Sequence, residues 1–407
     1  MTTPDLSNGP LSGLRVIDLT QVFAGPSCGL LLTYLGAEVI KLESLSHLDS
    51  TRGQPIPDDP HPWDHAPLWN EMNAGKKSVQ VNLKSPEGVA LVKELLKQSD
   101  VFFYNMRQNA VDRMGLDYQT LLAEVNPKLV IMCMAGSGST GPEKDYAGYA
   151  PTFAALSGIS YVSGWPGKPP FEFTGWPDLE VGVWGGIALV AAILERNRTG
   201  VGTFIDLSGN EALTWYTGEH LIEAAMNHRS PGPLGNRHET LVQGCYRCAG
   251  DEKFVSIAIA TDAEWVALCG AMGQPALASD ARFATQSLRL HNQDALDPII
   301  EAWTATLENL AVSEQLQAVD VAGIPTYSGE ELYASPHLWE RDMFHTVVHP
   351  VTGGRTMVAP PWKFSGTPVT SRGAGPLLGE HNAYVFGEIL GMAPDEIERL
   401  QRDSVLS

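Results

Sequence analysis

One carboxylate in this sequence stands out by its surroundings. Asp178 follows a loop rich in glycine, proline and aromatic residues, GWPGKPPFEFTGWPD, and precedes an apolar segment that we predict to be a buried helix over residues 179–196. An aspartate at such a position is a good helix N-cap. A carboxylate that is desolvated there, close to the positive end of the helix dipole, could also act as a nucleophile. The two interpretations are compatible, and both remain open.

Positive charge is concentrated in one window, residues 76–113, of a chain whose formal net charge is −20. Seven Lys or Arg against four Asp or Glu lie in this window. The seven are Lys76, Lys77, Lys84, Lys93, Lys97, Arg107 and Arg113. Several of them lie at the ends of predicted strands or in the loops that follow, where open α/β sheets bind ligands. The window therefore predicts a site for phosphate anions, while a solvated helix face explains Lys93 and Lys97.

Charge and cysteine content disfavour several classes of protein. An acidic chain does not favour a nucleic-acid or an anionic-membrane partner, because both need a basic surface. Five cysteines in 407 residues are too sparse, and odd in number, for a disulfide framework. Residues 1–10 carry neither a basic start nor an apolar run, so we expect no signal peptide, no membrane span and a cytoplasmic protein.

Two short motifs match known site patterns but lack the required context. GSGSTG at residues 136–141 fits a dinucleotide loop, but PEKD follows it instead of a helix, so we interpret it as a glycine-rich turn. Cys245 and Cys248 form C-x-x-C on a predicted strand without a second pair for zinc, so we interpret them as ordinary strand cysteines. The sequence has no H-E-x-x-H pair and no G-x-S-x-G elbow, so we expect neither a metal site nor a serine triad.

Strands and helices alternate through the first half of the chain. LRVIDLT at residues 14–20 predicts a strand, a helix follows to about residue 35, and AEVIKLE at 37–43 predicts the next strand. Further strands are predicted at residues 77–83, 100–105, 129–134 and 203–208. This βαβ pattern predicts an α/β fold with a parallel, doubly wound sheet over about residues 10–215.

The character of the sequence changes near residue 228. HRSPGPLGNRHE is polar and rich in turn residues, as linkers are, and CYRCAGDEKFVSIAIA then predicts a β-hairpin. Helices are predicted over residues 262–272, 291–305, 310–319 and 382–390. We therefore divide the chain into a large domain over residues 1–228, a small α+β domain with its linkers over 229–325, and a return to the large domain over 326–407.

Several long segments match one known family. They include PLSGLRVIDLTQVFAGPSCGLLLTYLGAEVIKLE at residues 10–43, NAGKKSVQVNLKSPEG at 73–88, NMRQNAVDRMGLDY at 105–118 and PLLGEH at 376–381. In these segments the chain resembles the class III CoA-transferases, which include formyl-CoA:oxalate and carnitine CoA-transferases and alpha-methylacyl-CoA racemase. The resemblance implies a Rossmann-like large domain, a small domain and an interlocked homodimer, with a heteromer as the alternative.

The resemblance also implies roles for particular residues. Asp178 falls where the transferases keep their catalytic aspartate. The positions that match CoA contacts of the family are Phe23, Ala24, Val81, Asn82, Leu83, Lys84, Asn105, Met106, Arg107, Arg113, Ala147, Gly148, Tyr149 and Ala150. The sequence departs from the family at Ser44, where formyl-CoA transferase has an arginine on the CoA. It also departs in the glycine-rich loop, whose nearest counterpart here is residues 234–244.

The activity implied by the resemblance is transfer of CoA from an acyl-CoA donor to a small carboxylic acid through a covalent intermediate on Asp178. CoA thioesters enter as substrates, and we expect no permanently bound cofactor. The alternatives are an alpha-methylacyl-CoA racemase and a non-catalytic CoA-binding subunit of a heteromeric transferase. The racemase has a histidine where this chain has Tyr149, which is a poor base at neutral pH, and the intact Asp178 argues against a silent subunit.

The loop before Asp178 and the edge of the small domain are expected to line the acyl pocket. The aromatic residues of this loop favour an apolar or aromatic acid and would keep water from a reactive anhydride. They are Trp165, Phe171, Phe173 and Trp176. Arg237 or His238 could pair with a second carboxylate, which makes a dicarboxylate such as succinate a candidate partner.

Overall fold

A computed structural model describes residues 9–407 and divides the chain into two compact units. Unit 1 comprises the described residues up to 160 together with residues 172–229 and 340–407. Unit 2 comprises residues 161–171 and 230–339. Most of the segment behind our expectation of no signal peptide lies outside the described residues. Our domain boundaries near residues 228 and 325 stay predictions about the organisation of the chain.

Unit 1 is built on a six-stranded sheet in which every neighbouring pair of strands is parallel. The strands are β1 (Arg15–Leu19), β2 (Glu38–Glu43), β3 (Lys77–Gln80), β4 (Val101–Tyr104), β5 (Val130–Cys133) and β6 (Thr203–Asp206). Their spatial order is β3-β2-β1-β4-β5-β6, so the direction of winding reverses between β1 and β4. The predicted α/β class and parallel sheet are confirmed, and each strand begins within a residue of its predicted start.

Helices connect these strands at close to the predicted positions. They are α1 (Ala24–Tyr34), α2 (Pro67–Met72), α3 (Pro86–Lys97), α4 (Gln108–Arg113), α5 (Tyr118–Thr120), α6 (Ala150–Leu156), α7 (Ile159–Val162), α8 (Trp176–Thr199), α9 (Gly209–Thr214) and α10 (Gly218–Asn227). A π-helical turn, Leu121–Val125, continues α5, and 3-10 turns lie at Leu45–His47, Ser50–Arg52 and Trp215–Thr217.

Both faces of the sheet are covered, because successive side chains of a strand point to opposite sides. Ile17 of β1 and Phe102 of β4 belong to one buried cluster, which also includes residues of α3 and of the C-terminal tail. Val16 and Phe103, their neighbours along the same strands, belong to a second cluster with residues of α1 and α8. The near-continuous apolar strands that the sequence shows are therefore those of a sheet buried between two layers.

Glycines on α8 allow it to lie very close to α1. A Cβ atom at Gly182 would lie 2.0 Å from Ser27 Oγ, and one at Gly185 would lie 2.9 Å from Met134 Cε and 3.2 Å from Cys28 Sγ. At Gly182 a methyl group would collide with Ser27 and the backbone of α1, whereas at Gly185 the nearest atom is the flexible end of Met134. The close contact fixes the helix that carries Asp178 against the helix that follows β1.

The opposite face of α8 is exposed, which corrects our expectation that this helix is buried. Val183, Ile187 and Leu194 are 44%, 57% and 66% exposed. The reason is that one face of the helix, with its glycines and with Val181, Leu189 and Ile193, packs against the core, while the branched residues of the other face point outward. Among residues 9–407, α8 alone is long and apolar enough to span a membrane, a criterion that core helices of soluble proteins also meet.

Unit 2 contains an antiparallel sheet of three strands, β7 (Val242–Arg247), β8 (Phe254–Ile259) and β9 (Ala322–Thr326). The predicted hairpin is β7–β8, whereas the sequence analysis did not identify β9. Its helices are α11 (Asp262–Ala271), α12 (Gln286–His291), α13 (Gln293–Thr304), α14 (Asn309–Gln317), α15 (Gly329–Ala334) and α16 (Pro336–Glu340), with a 3-10 turn at Pro275–Ser279. Cys245 lies on β7, Cys248 follows it, and both are free thiols.

The C-terminal tail returns to unit 1 and contains elements that the sequence analysis did not identify. A hairpin, β10 (Phe344–His349) and β11 (Gly353–Val358), precedes the proline-rich loop. The predicted terminal helix is a π-helical segment, Ala383–Ile389, and a further helix, α17 (Pro394–Arg402), follows it. Val405 beyond α17 accepts the backbone N–H of Asn82 at 2.8 Å, so the last residues of the chain are fixed to the loop after β3.

A buried arginine joins this tail to the sheet. Arg52 is 1% exposed, and it donates to both carboxylate oxygens of Glu43 at 2.7 Å and to Asp64 at 2.6 Å. Its guanidinium lies 3.7 Å from the centre of the Trp69 ring. Trp69 in turn donates its indole N–H to the carbonyl of Pro376 at 3.2 Å. The PLLGEH segment therefore begins directly on a buried cluster of charges.

Candidate functional site

A cavity of about 470 Å³ opens in unit 1 beyond the carboxyl ends of three neighbouring strands. Gln21 follows β1, Asn105 follows β4, and Ala135 and Gly136 follow β5, and all four residues line this cavity. Strands β1 and β4 are the pair between which the strand order reverses. Doubly wound sheets bind ligands at this place, because the loops diverge there and leave a crevice. We call it the Asp178 cavity, since Asp178 also lines it.

Backbone hydrogen bonds hold the wall of the cavity near β1. The Gln21 backbone N–H donates to the Asn105 side chain at 2.9 Å, and the Asn105 amide donates back to the Gln21 carbonyl at 2.6 Å. Val22 has a positive φ of 67° and donates its N–H to the Asp49 carboxylate. A strained backbone that is fixed from two sides is typical of a functional loop.

Asp178 occupies the first turn of α8 and is half-buried. The N-cap of this helix is Gly175, so the N-cap interpretation of Asp178 is wrong by three positions. Burial raises the pKa of the Asp178 carboxyl to about 6. A carboxylate with a raised pKa is a stronger nucleophile and remains mostly ionised at neutral pH.

Aromatic side chains of unit 1 surround the first turn of α8. The ring centres of Phe173 and Trp176 lie 5.4 Å apart, and those of Trp176 and Tyr216 lie 5.7 Å apart. The Tyr216 hydroxyl donates to the Glu180 carboxylate. Together these contacts connect the loop before α8 to the turn after α9.

Trp165 and Phe171 of the same loop belong to unit 2. Trp165 lies beside Gly235, whose Cβ position is 2.9 Å from the indole ring. Arg237 is already paired with Asp294 and Asp297, each at 2.7 Å, so its charge is compensated inside unit 2. To recognise a second carboxylate, Arg237 would have to bind it in addition to these two aspartates, and this role stays a prediction.

The Asp178 cavity brings together many of the residues that the family resemblance indicates. Besides Asp178, its lining includes Phe23, Ala24, Asn105, Met106, Arg107, Ala147, Gly148 and Tyr149. They come from four separate stretches of the chain: the start of α1, the loop after β4, the loop before α6 and the first turn of α8. Their roles stay predictions, but their placement around one carboxylate is a property of the fold.

The other six predicted contacts lie elsewhere in unit 1. They are Val81, Asn82, Leu83, Lys84, Arg113 and Ala150. Val81 and Ala150 are buried, and Leu83 packs against the hydrophobic core. The Asn82 side chain donates to the Ser404 carbonyl at 3.3 Å and so fixes the C-terminal tail. Lys84 and Arg113 are exposed, so both side chains are accessible to a phosphate in solution.

The basic window is less available to ligands than its sequence indicates. Lys76 is 3% exposed and donates to Asp18 at 2.9 Å, to the Pro26 carbonyl at 2.9 Å and to Asn73 at 3.0 Å. Burial lowers the pKa of Lys76 to about 8, although Asp18 opposes the shift. Lys76 is therefore a structural residue. Arg107 remains at the cavity and uses one N–H for the Asp145 carbonyl at 2.8 Å.

Several cavity residues were not identified from the sequence. They are Gln21, Val22, His47, Ala110, Met134, Ala135, Gly136, Tyr146, Phe153, Val181 and Gly209. Gly136 opens the GSGSTG segment, and the backbone N–H of Ser139 in this segment donates to Asp206 at 2.7 Å, as in a turn after β5. The sequence could have indicated these residues only by their position along the chain. Most of them come directly after a strand, and Val181 lies one helical turn after Asp178.

Comparison with known proteins places this chain among CoA-transferases. The sequence model of CoA-transferase family III matches residues 11–382. Succinyl-CoA–D-citramalate CoA-transferase of Chloroflexus aurantiacus is 32% identical over 404 residues, which is 98% of each chain. Acetyl-CoA:oxalate CoA-transferase of Acetobacter aceti is 33% identical over 367 residues, covering 90% of this chain and 92% of the relative.

A solved structure shows the same fold. The CAIB/BAIF family protein from Brucella suis superposes with a TM-score of 0.84 at 29% identity. The match covers 94% of this chain and 100% of that protein. Sequence and structure thus agree over nearly the whole chain, including the segments that form the Asp178 cavity.

Proposed function

The chain belongs to CoA-transferase family III, and from this premise we propose that it moves CoA from an acyl-CoA to a free carboxylic acid through a covalent intermediate on Asp178. The observation that carries the proposal is a half-buried carboxylate with a raised pKa, which lines the cavity at the switch point of the sheet. CoA thioesters are the substrates of this family. The acids and the intermediate are our inference for this chain.

The reaction needs only the exchange of acyl bonds. A carboxylate oxygen of Asp178 attacks the donor carbonyl, the C–S bond breaks, and CoA leaves as a thiolate. The product on the protein is a mixed anhydride between the donor acyl group and Asp178. The thiolate then attacks the side-chain carbonyl carbon of Asp178, which releases the donor acid and leaves an aspartyl-CoA thioester. The acceptor carboxylate repeats both steps in reverse, so Asp178 is regenerated and no net proton is consumed.

Each addition step creates an oxyanion that has to be stabilised. Backbone N–H groups of the turn at Ala135 and Gly136 are candidates, because this turn lines the cavity beside Asp178. The anhydride also has to be protected from water. Phe173 and Trp176, which pack together next to Asp178, are the aromatic side chains of unit 1 that support this role.

Binding of CoA involves its phosphates, and we assign Arg107 to them. Arg107 lines the cavity, and within residues 9–407 its guanidinium donates to the Asp145 carbonyl with one of its five N–H groups. Arg107→Ala should raise the KM for acyl-CoA about ten-fold or more and leave the KM for the free acid nearly unchanged, because a lost charge-assisted contact weakens binding only. Lys97→Ala is the matched control, since Lys97 is exposed and pairs with Glu94. Equal effects on both substrates would indicate a structural role for Arg107.

The relatives guide the choice of acids. Their names specify succinyl-CoA with D-citramalate, and acetyl-CoA with oxalate. We propose that this chain likewise uses a short dicarboxylic acid such as succinate as one partner, in the cytoplasm.

We also propose an interlocked homodimer, which the exposed apolar face of α8 at Val183, Ile187 and Leu194 supports. Sedimentation of the purified chain tests the dimer.

Chemical trapping tests the covalent intermediate. Incubation with succinyl-CoA or acetyl-CoA and hydroxylamine should convert Asp178 to a hydroxamate, because hydroxylamine cleaves both anhydrides and thioesters. Mass spectrometry of the digested protein locates the modification, and Glu180, two residues away on α8, serves as the internal control. Full exchange activity in Asp178→Ala would show that the intermediate is not formed on this residue.

A further inference from the structure

Phe153 forms a fixed wall of the Asp178 cavity. Its ring lies against two glycines: a Cβ atom at Gly136 would be 1.9 Å from the ring, and a Cβ atom at Gly148 would be 2.9 Å from it. Its backbone belongs to α6, where its N–H donates to the Tyr149 carbonyl at 3.1 Å. A ring that fills the space above two glycines and is anchored on a helix keeps its position.

Close contacts lead from Asp178 to this ring. Val181 is one helical turn after Asp178 on α8 and lines the same cavity. A Cβ atom at Gly209 would lie 3.6 Å from Val181 and 3.5 Å from the Cα of Gly136. Gly136 then contacts Phe153. Asp178 and the Phe153 ring therefore line one cavity and are connected by neighbouring residues of its wall, and the acyl group of a CoA thioester has to lie in this cavity during attack.

A second cavity of about 360 Å³ adjoins the first and is also lined by the Phe153 ring. Tyr146, Ala147 and Phe153 line both cavities. The second cavity is completed by Ser137, Thr152, Ala155 and Leu156. Its lining is mainly apolar. The Thr152 hydroxyl is already bonded to the Tyr149 backbone at 2.8 and 2.9 Å, whereas the buried Ser137 hydroxyl has no hydrogen-bond partner among the described residues.

We propose that Phe153 determines the length of the acyl group that this enzyme accepts, by closing the Asp178 cavity against the space lined by Ala155 and Leu156. The proposal rests on the proposed function, because it assumes that the acyl group is presented to Asp178. With the ring in place, short acyl groups fit and longer unbranched aliphatic chains meet the ring. Without the ring the two cavities join, and the second one offers an apolar surface for a longer chain.

A ladder of donors tests the proposal: acetyl-, butyryl-, hexanoyl- and octanoyl-CoA, each with succinate as acceptor. In the wild-type chain, kcat/KM should fall about ten-fold or more from butyryl-CoA to hexanoyl-CoA, which is the scale of one misfitting methylene group in a tight apolar pocket. In Phe153→Ala this fall should disappear. Phe153→Leu keeps an apolar side chain of intermediate size and should shift the limit only partly, which also covers the case in which the alanine variant folds poorly.

A filling variant provides the matched control. Ala155 is exposed and lines only the second of the two cavities. Adding Ala155→Phe to Phe153→Ala should restore the wild-type limit, because the new ring occupies the space that the longer chain would use. Ala155→Phe alone should leave the ladder of the wild-type chain unchanged.

Binding separates this proposal from the proposed function. Dissociation constants for the same four thioesters are measured by calorimetry in the Asp178→Ala chain, with and without Phe153→Ala. A sharp rise in the dissociation constant from one thioester to the next longer one, present with Phe153 and absent without it, supports the proposal. It does so even if the wild-type chain exchanges no CoA, and that lack of exchange would refute the transferase mechanism alone. A ladder that is the same with and without Phe153, or absence of binding by all four thioesters, overturns the proposal.

Discussion

Two aspartates of unit 1 show how strongly the surroundings decide what a carboxylate can do. Burial raises the pKa of Asp178 to about 6. Burial also acts to raise the pKa of Asp18, which is fully enclosed, but Lys41, Lys76 and the hydroxyl of Thr20 outweigh it and bring the pKa down to about 2. Asp18 is therefore a permanently charged structural group, whereas Asp178 keeps the reactivity of an uncompensated carboxylate.

The raised pKa of Asp178 has a measurable effect on stability. Because the folded pKa of about 6 exceeds the ordinary value of 3.8, the folded chain binds this proton more tightly than the unfolded chain does. Its contribution to the free energy of unfolding is therefore highest below pH 3.8 and is lost as the pH rises to about 6. Asp178→Asn should be more stable than wild type by about 1–2 kcal/mol at pH 7, a value reduced for solvent screening of the half-buried group.

Urea unfolding at a series of pH values measures this difference. The two chains should have nearly equal stability at pH 4 and should diverge between pH 4 and pH 6. A difference that does not depend on pH would mean that the substitution acts through packing and that the carboxyl is not destabilised by burial.

Tyr149 distinguishes transfer from racemisation. Its side chain is 74% exposed, and the racemase has a histidine, the more usual general base, at this position. With a chiral 2-methylacyl-CoA in heavy water, we expect no deuterium at the alpha carbon, while CoA passes to an added acid in the same tube. The measurement is mass spectrometry of the recovered thioester. Uptake of deuterium with loss of optical purity, in the absence of any acceptor acid, would establish racemisation instead.

The sequence was informative about segments that resemble the family and uninformative about long-range charge pairs. Phe23, Asn105 and Arg107 were predicted as CoA contacts from this resemblance, and all three line the Asp178 cavity, while their roles stay predictions. The burial of Lys76 could not be foreseen, since its partner Asp18 is 58 residues away and only the folded sheet brings them within 2.9 Å. The division of the aromatic loop between the two units is equally a property of tertiary structure.

At the scale of whole elements, the close contact between α1 and α8 depends on glycines of α8, which have no side chain. Gly182→Ala places a methyl group 2.0 Å from Ser27 Oγ and 2.9 Å from the Ala24 carbonyl. We expect a loss of about 1–3 kcal/mol in the free energy of unfolding, as is usual for overpacking, together with reduced activity because Asp178 lies on the displaced helix.

Gly218→Ala is the control for this prediction. Gly218 is the first residue of α10, and a Cβ atom there meets nothing within 4 Å. The substitution should be neutral or stabilise the chain by about 0.4–1 kcal/mol, because alanine restricts the unfolded chain. Thermal or urea unfolding of both variants gives the comparison, and equal stability of the two would show that α1 and α8 tolerate a wider separation.

Elements with a strong apolar pattern could be predicted, and polar ones could not. Residues of β4 and β5 are entirely buried, and their runs of valine, isoleucine and phenylalanine are visible in the sequence. In α17, PDEIERLQR, Ile397 and Leu400 both pack against the core, but two apolar positions in a short, otherwise polar segment are too few to reveal a helical period. The hairpin β10–β11 is hidden in the same way, because most of its side chains are half-buried or exposed.

At the scale of the whole molecule, the Arg52 cluster connects the end of the chain to its beginning. Arg52→Ala removes the arginine that pairs with two buried carboxylates, Glu43 and Asp64. We expect a loss of about 3–5 kcal/mol in the free energy of unfolding, because uncompensated charges remain buried. Lys363→Ala, which breaks an exposed ion pair of the same tail with Asp342, should change stability by less than about 1 kcal/mol.

Limited proteolysis gives a second measurement of the same effect. In Arg52→Ala, cleavage between β11 and α17 should become faster than in wild type, because PLLGEH loses the cluster on which it begins. Unchanged cleavage with lowered stability would mean that the tail is held mainly by its later contacts at Val405 and Asn82.

The interrupted course of the chain through unit 1 has a consequence for biosynthesis. A ribosome makes residues 340–407 only after all of unit 2 has been made. Until then the charges of Arg52, Glu43 and Asp64 lack the cover of PLLGEH, and the loop after β3 lacks its contact with Val405. Unit 2 can complete its own sheet and core during translation, since domains generally fold as units. The unit that contains Asp178 has to wait until residues 340–407 have emerged, so a nascent chain stalled before this tail is the form most exposed to chaperones and proteases.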